Sequence, residues 1–241
     1  MTRRCLRALC LLLTLAAWLP PLASAQEPAG YTATRPSADG IGKRYMGREI
    51  SRVMGWQGAA WLERAEREQE ERTDLLLSAL ELTPGLIVAD IGAGTGYLSR
   101  RMADAVAPSG KVLAVDVQPE MVAMLRKAAQ QQGLRNLEAS LGTDMDVGLP
   151  RASVDLAIMV DVYHELSFPH EVLGSIVRSL KPGGRLVFVE YRAEDPGVPI
   201  KALHKMSEAQ VRLEAQVHPV VWEKTVNSLP WQHVIVFRRK D

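Results

Sequence analysis

The sequence predicts an α/β domain: a doubly wound, mostly parallel sheet that ends in an antiparallel hairpin. Three observations carry this. The apolar run Val88-Ala89-Asp90-Ile91 passes through Gly92-Ala93-Gly94-Thr95-Gly96 straight into a helical pattern, which reads as strand, tight turn and helix start. Beyond it, short apolar runs alternate with amphipathic helices, a rhythm that implies right-handed βαβ crossovers and a sheet covered on both faces. The last two β-rich runs have no helix between them, which suggests an antiparallel pair at the sheet edge.

In order along the chain, Arg3, Arg4 and Arg7 precede an apolar stretch at 8–19 and the sequence Pro20-Pro21-Leu22-Ala23-Ser24-Ala25. A basic start, a short apolar centre and an Ala-x-Ala end form the layout of a cleavable signal peptide, residues 1–25, and imply export to the periplasm or beyond. Both cysteines, Cys5 and Cys10, lie inside it, so the mature chain is expected to lack disulfides, thiolate metal sites and cysteine nucleophiles. No metal is expected. Loss of the three arginines takes the formal charge from +1 to −2, which argues against a general nucleic-acid binder. The 241 residues, 47% hydrophobic, suffice for one well-buried domain, and no later run is apolar and long enough to span a bilayer.

Residues 26–44, rich in Pro, Gly, Ala, Ser and Thr, read as a flexible leader, and 45–82 as an N-terminal helical cap. The cap is dominated by one long polar helix at 59–82. In it, Glu63 and Arg67, and Glu68 and Arg72, stand four apart with the acid first, and Pro84-Gly85 stops it. The domain proper occupies 83–241. Strands are expected at 86–91, 112–117, 137–141, 154–160 and 186–190. Helices are expected at 95–106, 119–132, opened by Pro119 and closed by Gly133, and 169–180. Ser207-Glu208-Ala209-Gln210 is a capping box for a helix to about 217, and strands at 220–226 and 233–239 close the chain.

Ligands of an open parallel sheet sit outside the carboxyl ends of its strands. The candidate site residues are therefore Asp90 with Gly92, Gly94 and Gly96, then Asp116, then Thr143 and Asp144, then Asp161 to Glu165, then Tyr191 and Arg192. Glycines let a ligand lie against backbone, and the helix start beyond them favours an anion. Asp116, 20 residues past Gly96, is placed to accept from ribose hydroxyls or simply to cap the following helix.

The run Val88 to Gly96 resembles the first motif of class I S-adenosylmethionine-dependent methyltransferases. Val112-Leu113-Ala114-Val115-Asp116 is similar to that family's ribose-binding strand, Leu180-Lys181-Pro182-Gly183-Gly184 to the turn before strand five, and the closing hairpin to its reversed seventh strand. The likeness covers about 75–237 and is greatest to small-molecule and quinone-type members and to an exported bacterial branch sharing the Tyr-His-Glu and Glu-Tyr-Arg segments. It implies a Rossmann-like sheet of order 3-2-1-4-5-7-6 and S-adenosylmethionine as cofactor. Gly92, Gly94 and Gly96 would line its methionine end, Asp90 would hold the amino group, Asp116 the ribose, and Val117 would pack on adenine. The family often has Gly-Asp-Ala after strand three, whereas here Gly142-Thr143-Asp144 stands there, so Asp144 or a backbone group would meet the adenine amino group. Asp161 also belongs to the expected cofactor set.

Methyl transfer of this kind is an in-line displacement in which alignment supplies much of the acceleration, and a base is needed only for a protonated acceptor. His164 is the first choice of base because an ordinary imidazole titrates near neutrality, with Glu165 and Tyr163 behind it; a structural histidine is the other reading. Tyr191, Arg192 and His204 would line the pocket of a small-molecule acceptor, Arg192 holding an anionic group. Met46, Trp56 and Trp61 either lid the cofactor or pack the cap. Two other readings stay open. A nicotinamide-dependent oxidoreductase would want Gly-x-Gly-x-x-Gly rather than this loop. A non-catalytic cofactor-binding protein gains from the export signal, because S-adenosylmethionine is made in the cytoplasm.

Overall fold

The computed structural model describes residues 30–241; the expected signal peptide lies outside the described residues. The main sheet has seven strands: β4 (Ile87–Ile91), β5 (Lys111–Asp116), β6 (Leu137–Leu141), β7 (Val154–Val160), β8 (Leu180–Tyr191), β9 (Val220–Val226) and β10 (Gln232–Arg239). Their spatial order is β6-β5-β4-β7-β8-β10-β9, the expected arrangement. β4, β5, β6, β7 and β8 run parallel, and β10 enters between β8 and β9 antiparallel to both. The order reverses between β4 and β5 on one side and β7 on the other, so the crevice falls at the carboxyl ends of these three strands.

Alternation along the strands divides the core into two layers. Val88, Leu156, Ile158, Val187, Val189, Val234 and Val236 face one side, packed under α4 (Tyr97–Val106), α5 (Pro119–Gln131) and the end of α3 (Thr73–Ala79). Ala89, Ile91, Ala157, Met159, Leu186, Phe188, Ile235 and Phe237 face the other, under α6 (Pro169–Ser179) and α7 (Glu208–Ala215). The helices bury residues at helical spacing, Leu98, Met102 and Val106 on α4 and Val172, Leu173, Ile176 and Val177 on α6. Each fully buried aliphatic or aromatic side chain contributes about 1.5–3 kcal/mol relative to exposure. Phe188 meets Tyr163 and Phe237 edge-on, with ring centroids 4.9 and 5.6 Å apart. The Lys181-Pro182-Gly183-Gly184 segment, expected as a turn, is drawn into the start of β8, and the register against β7 shifts between Val154 and Leu156 to take it in.

The N-terminal expectations need two corrections. First, residues 26–44 are not simply a leader: β1 (Tyr31–Ala33), β2 (Gly40–Tyr45) and β3 (Arg48–Ser51) form a small antiparallel sheet. Met46 and Gly47 both have positive φ at the β2–β3 hairpin, which gives the tight reversal matching strand twist. Tyr31, Tyr45 and Ile50 form a miniature core. That core is too small to stand alone, and its anchors are distant in sequence. The Tyr31 hydroxyl donates to Glu171 at 2.6 Å, Lys43 to the Ser167 carbonyl at 2.8 Å, and Arg48 to both oxygens of Glu214 at 2.6 and 3.0 Å.

Second, the long helix at 59–82 is three short ones, α1 (Ala59–Leu62), α2 (Arg67–Glu71) and α3, with Arg72 left-handed between the last two. The local ion pairs lose to tertiary partners. Glu63 accepts from Arg100 and from the Thr95 hydroxyl, Glu68 from Tyr97, and Arg72 pairs with Asp74. Arg64 and Arg67 converge instead on Glu71, which also accepts from the Tyr191 hydroxyl.

Glu214, fully buried on α7, accepts from Arg48, Tyr163 and Gln210. Removing one side of a buried pair leaves an uncompensated charge. Arg48→Ala is therefore expected to cost about 3–5 kcal/mol of stability, read as a lower denaturant midpoint, and Arg48→Ala with Glu214→Leu to recover part of that loss.

Candidate functional site

The glycine turn between β4 and α4 is held from below. Gly92 and Ala93 donate their N–H groups to the Val115 carbonyl at 2.8 and 3.1 Å, and Gly94 donates to Asp116 Oδ2 at 2.9 Å. Gly92, Gly94 and Gly96 all have positive φ (70°, 56° and 81°), conformations that side chains other than glycine's resist. Added Cβ atoms would lie 2.5 Å from Val162 and 2.6 Å from Leu62 at Gly92 and Gly94, so the cradle has no room for them. Gly96 is the N-cap of α4 with no side-chain cap, which leaves first-turn N–H groups to a ligand.

Asp90 and Asp116 flank this turn. Asp90 is buried and accepts from the Ser99 hydroxyl at 2.5 Å. Burial pushes its carboxyl up to about 6, against the Ser99 hydrogen bond and the field of Arg67, with Asp116 adding to the rise. Asp116 accepts from Gly94 through one oxygen and from the Gln118 N–H, 2.9 Å away, through the other. It thus fastens the entry to α5, the second of the two roles expected of it, and stands beside the glycine turn. Its carboxyl too is raised by burial, partly offset by those N–H groups. Val117 is half-exposed and Asp144 lies exposed on the loop after β6.

A roof crosses these strand ends. Met54 N–H donates to Glu165 Oε2 (3.1 Å), Gln118 donates to the Met54 carbonyl (3.0 Å) and accepts from Trp56 N–H (2.7 Å), and Thr95 donates to Glu63 (2.6 Å). Of the three lid candidates, Trp56 and Trp61 are exposed on this segment, Trp61 lying 3.6 Å from the Arg64 guanidinium; Met46 sits in the β2–β3 hairpin.

The expected acceptor-handling residues stand differently from their expected roles. His164 is buried, and its Nδ1–H donates to Glu190 Oε2 at 2.6 Å. Burial disfavours the charged ring, but Glu190 and Glu165 outweigh it and push the pKa up to about 10, so this imidazole holds a proton at neutral pH rather than standing ready to take one. Glu165 is half-buried, and burial is outweighed by His164 and His204, which hold its carboxyl down to about 2. Tyr163 is fully buried and donates to Glu214 at 2.7 Å, a core contact and not a catalytic one. Arg192 donates to the carbonyls of Leu229, Pro230 and Gln232, which commits it to the turn before β10 rather than to an anionic acceptor. Tyr191 is tied to Glu71. His204 ends a short 3-10 turn, Ala202–His204, with Nδ1 3.3 Å from His164 Nε2 and 3.4 Å from Glu165 Oε1. Asp161 has φ +53°, accepts from Gln232 at 2.9 Å, and keeps its Oδ1 buried without a partner; burial and the nearby Glu71 and Glu190 raise its carboxyl well above the usual range.

Glu190, Glu71 and Glu63 were not among the expected site residues. A signal for Glu190 was present: it is the one carboxylate in the apolar run of β8 from Leu186, and a buried acid in a central strand requires a partner. Glu71 and Glu63 carried no such mark, since both lie in a segment of alternating charge.

Comparison with known proteins agrees with this geometry. Residues 82–233 match the family profile described as a methyltransferase domain. The ubiquinone/menaquinone biosynthesis C-methyltransferase of Ectopseudomonas mendocina is 31% identical over 120 residues, covering 49% of this chain and 46% of the relative. The protein-L-isoaspartate O-methyltransferase of Aeropyrum pernix is 32% identical over 115 residues, covering 46% and 41%. The chain thus spans less than half the length of these relatives. A solved S-adenosylmethionine-dependent methyltransferase from Aquifex aeolicus superposes with a TM-score of 0.73 at 25% identity, covering 77% of this chain and 99% of that one. The chain belongs to the class I S-adenosylmethionine-dependent methyltransferases, and S-adenosylmethionine is its cofactor.

Proposed function

We propose that the protein transfers a methyl group to a small-molecule acceptor, and that it does so outside the cytoplasm after removal of residues 1–25. The observation that carries the methyltransferase reading is the Asp116 carboxylate beside the Gly94 N–H, which joins two cofactor elements into one unit. The residues fit the cofactor. The glycine cradle excludes side chains, the uncapped start of α4 suits a carboxylate, and Asp90 is a buried acid suited to an amino cation. Asp116 would hold the ribose, with Val117 and Asp144 on the adenine side and Asp161 beside the cleft. The cofactor supplies a methyl group activated on a sulfonium sulfur.

The contribution of the chain's own residues is positioning. The Met54–Trp56 segment and Glu63 roof the strand ends and limit water. An acceptor already ionised needs alignment rather than proton removal, and that accords with a His164 that already carries its proton. Tyr191 and His204 would border the acceptor. No helix among the described residues is long and apolar enough to cross a membrane. The same commitments of Tyr163, His164 and Arg192 favour a second reading, a protein that binds the cofactor without turning it over.

Isotopically labelled S-adenosylmethionine, incubated with the protein and small-molecule extracts, is expected to yield mass-shifted methylated species. Cofactor binding by calorimetry without any labelled product would support the second reading, and binding of NADH in its place would overturn the first. Asp116→Ala is expected to weaken S-adenosylhomocysteine binding by about 1.5–3 kcal/mol, the loss of charged hydrogen bonds; unchanged affinity would remove Asp116 from the ribose site. A third expectation concerns pH. If Asp90 holds the amino cation it must be ionised, and with its carboxyl at about 6 in the free protein, affinity rises as pH passes through about 6 and levels off about one unit above that. Calorimetry between pH 5 and 7.5 should show this step in the wild type and none in Asp90→Asn.

A further inference from the structure

His164, Glu165 and His204 bring three ligand atoms together at one end of the cleft, the one such group of metal-binding side chains among the described residues. His164 Nε2 and Glu165 Oε1 are 3.7 Å apart, Glu165 Oε1 and His204 Nδ1 3.4 Å, and the two ring nitrogens 3.3 Å. Atoms bound tetrahedrally to zinc at about 2.0–2.1 Å lie about 3.4 Å from one another, whereas octahedral neighbours lie about 3.0 Å apart. The three edges match a tetrahedral face, with the fourth position open.

The surroundings are those of a built site. His164 Nδ1–H donates to the fully buried Glu190, which orients the ring and turns Nε2 to the cluster, where a metal ion would take the place of the Nε2 proton, the carboxylate–histidine arrangement that supports metal-bound imidazoles. The main chain of His164 is pinned as well, its carbonyl accepting from Arg48 at 3.2 Å and Ser51 at 3.3 Å. The second oxygen of Glu165 is occupied by the Met54 N–H, so its first oxygen is directed to the histidines. Two carboxylates meet two imidazoles here, and Arg48 is already paired with Glu214, so the cluster has room for added positive charge. His204 is the partly exposed member and marks the entry side.

We propose that His164 Nε2, Glu165 Oε1 and His204 Nδ1 bind a divalent transition-metal ion of the zinc class, with Glu190 as the positioning residue behind His164. Two histidines and one carboxylate with an open position form a donor set of the catalytic rather than the closed structural kind. Glu165 is fastened to Met54, and Met54 to Gln118 beside Asp116, so the cluster is tied to the roof over the strand ends. On the methyltransferase reading, an acceptor hydroxyl bound there would have its pKa lowered by the metal and would lose its proton to solvent water before methyl transfer, without a side-chain base, which would select hydroxyl-bearing acceptors.

The test reads the metal itself and needs neither cofactor nor acceptor. The untagged full chain, stripped with chelator, is titrated with Zn²⁺ against a chromogenic chelator and separately with Co²⁺, whose visible bands report tetrahedral coordination. One ion per chain is expected. His204→Ala and Glu165→Gln should each abolish or greatly weaken binding, Glu190→Gln should weaken it roughly 10–100-fold, and His218→Ala, whose ring packs on His170 with centroids 4.8 Å apart and away from this cluster, should leave it unchanged. Circular dichroism and S-adenosylhomocysteine binding establish that each variant is folded, and His204→Gln replaces any that is not. Absence of bound Zn²⁺ in the wild type, or undiminished binding in folded His204→Ala, would overturn the site. Absence of S-adenosylhomocysteine binding in a wild type that binds the metal would instead overturn the methyltransferase reading alone.

Discussion

Everything at the carboxyl end of the sheet depends on one carboxylate. Asp116 accepts the Gly94 N–H through one oxygen and the Gln118 N–H through the other, and so ties the first βα turn to the second. The glycines of the turn run through left-handed conformations and have no side chains to anchor them, so their own N–H groups must hold them down. Val115 supplies the carbonyl for Gly92 and Ala93, and the next residue supplies the carboxylate for Gly94. Gln118 then extends the same unit upward by clasping Met54 and Trp56 of the roof.

Around that unit the protein buries an unusual amount of charge, and its arrangement explains the shape of the N-terminal half. Glu71, Glu190 and Glu214 are each buried, and each is met by a donor from another element: Glu71 by Tyr191 beside its local arginines, Glu190 by His164, and Glu214 by Arg48 and Tyr163. A buried carboxylate without partners would be costly, so these three act as collection points. Glu71 gathers Arg64, Arg67 and Tyr191 and folds the polar segment into a bent cap rather than a straight helix. Glu214 gathers Arg48 and Tyr163 and so docks the three-stranded sheet onto the main domain. Glu190 fixes His164, and through it the cluster with Glu165 and His204.

The same network changed the meaning of the residues expected to handle the acceptor. His164 was attractive as a base because a free imidazole titrates near neutrality, but between two carboxylates it keeps its proton unless another cation replaces it. Arg192 and Tyr163 had the right chemistry and the right position after a strand, yet their polar atoms are directed into the C-terminal turn and the core. Asp90, the three glycines and Asp116 are where a strand-end reading puts them, because their position follows from strand, turn and helix alone.

The sequence by itself determined the alternation of strands and helices, the closing antiparallel pair and the glycine turn, while the strand order came from the family resemblance. The first three rest on periodicity and on glycines at fixed spacing, and neighbouring residues decide both. Only the tertiary structure decided the fate of the polar residues. Tyr31 to Ser51 forms strands because Glu171, Ser167 and Glu214 receive its side chains, and 59–82 bends because Glu63 and Glu68 find Arg100, Thr95 and Tyr97 in place of their helical neighbours. A short strand and an exposed i, i+4 ion pair are each worth too little to hold against tertiary partners, which for Tyr31, Arg48 and Glu71 lie more than a hundred residues away in places that no local pattern marks.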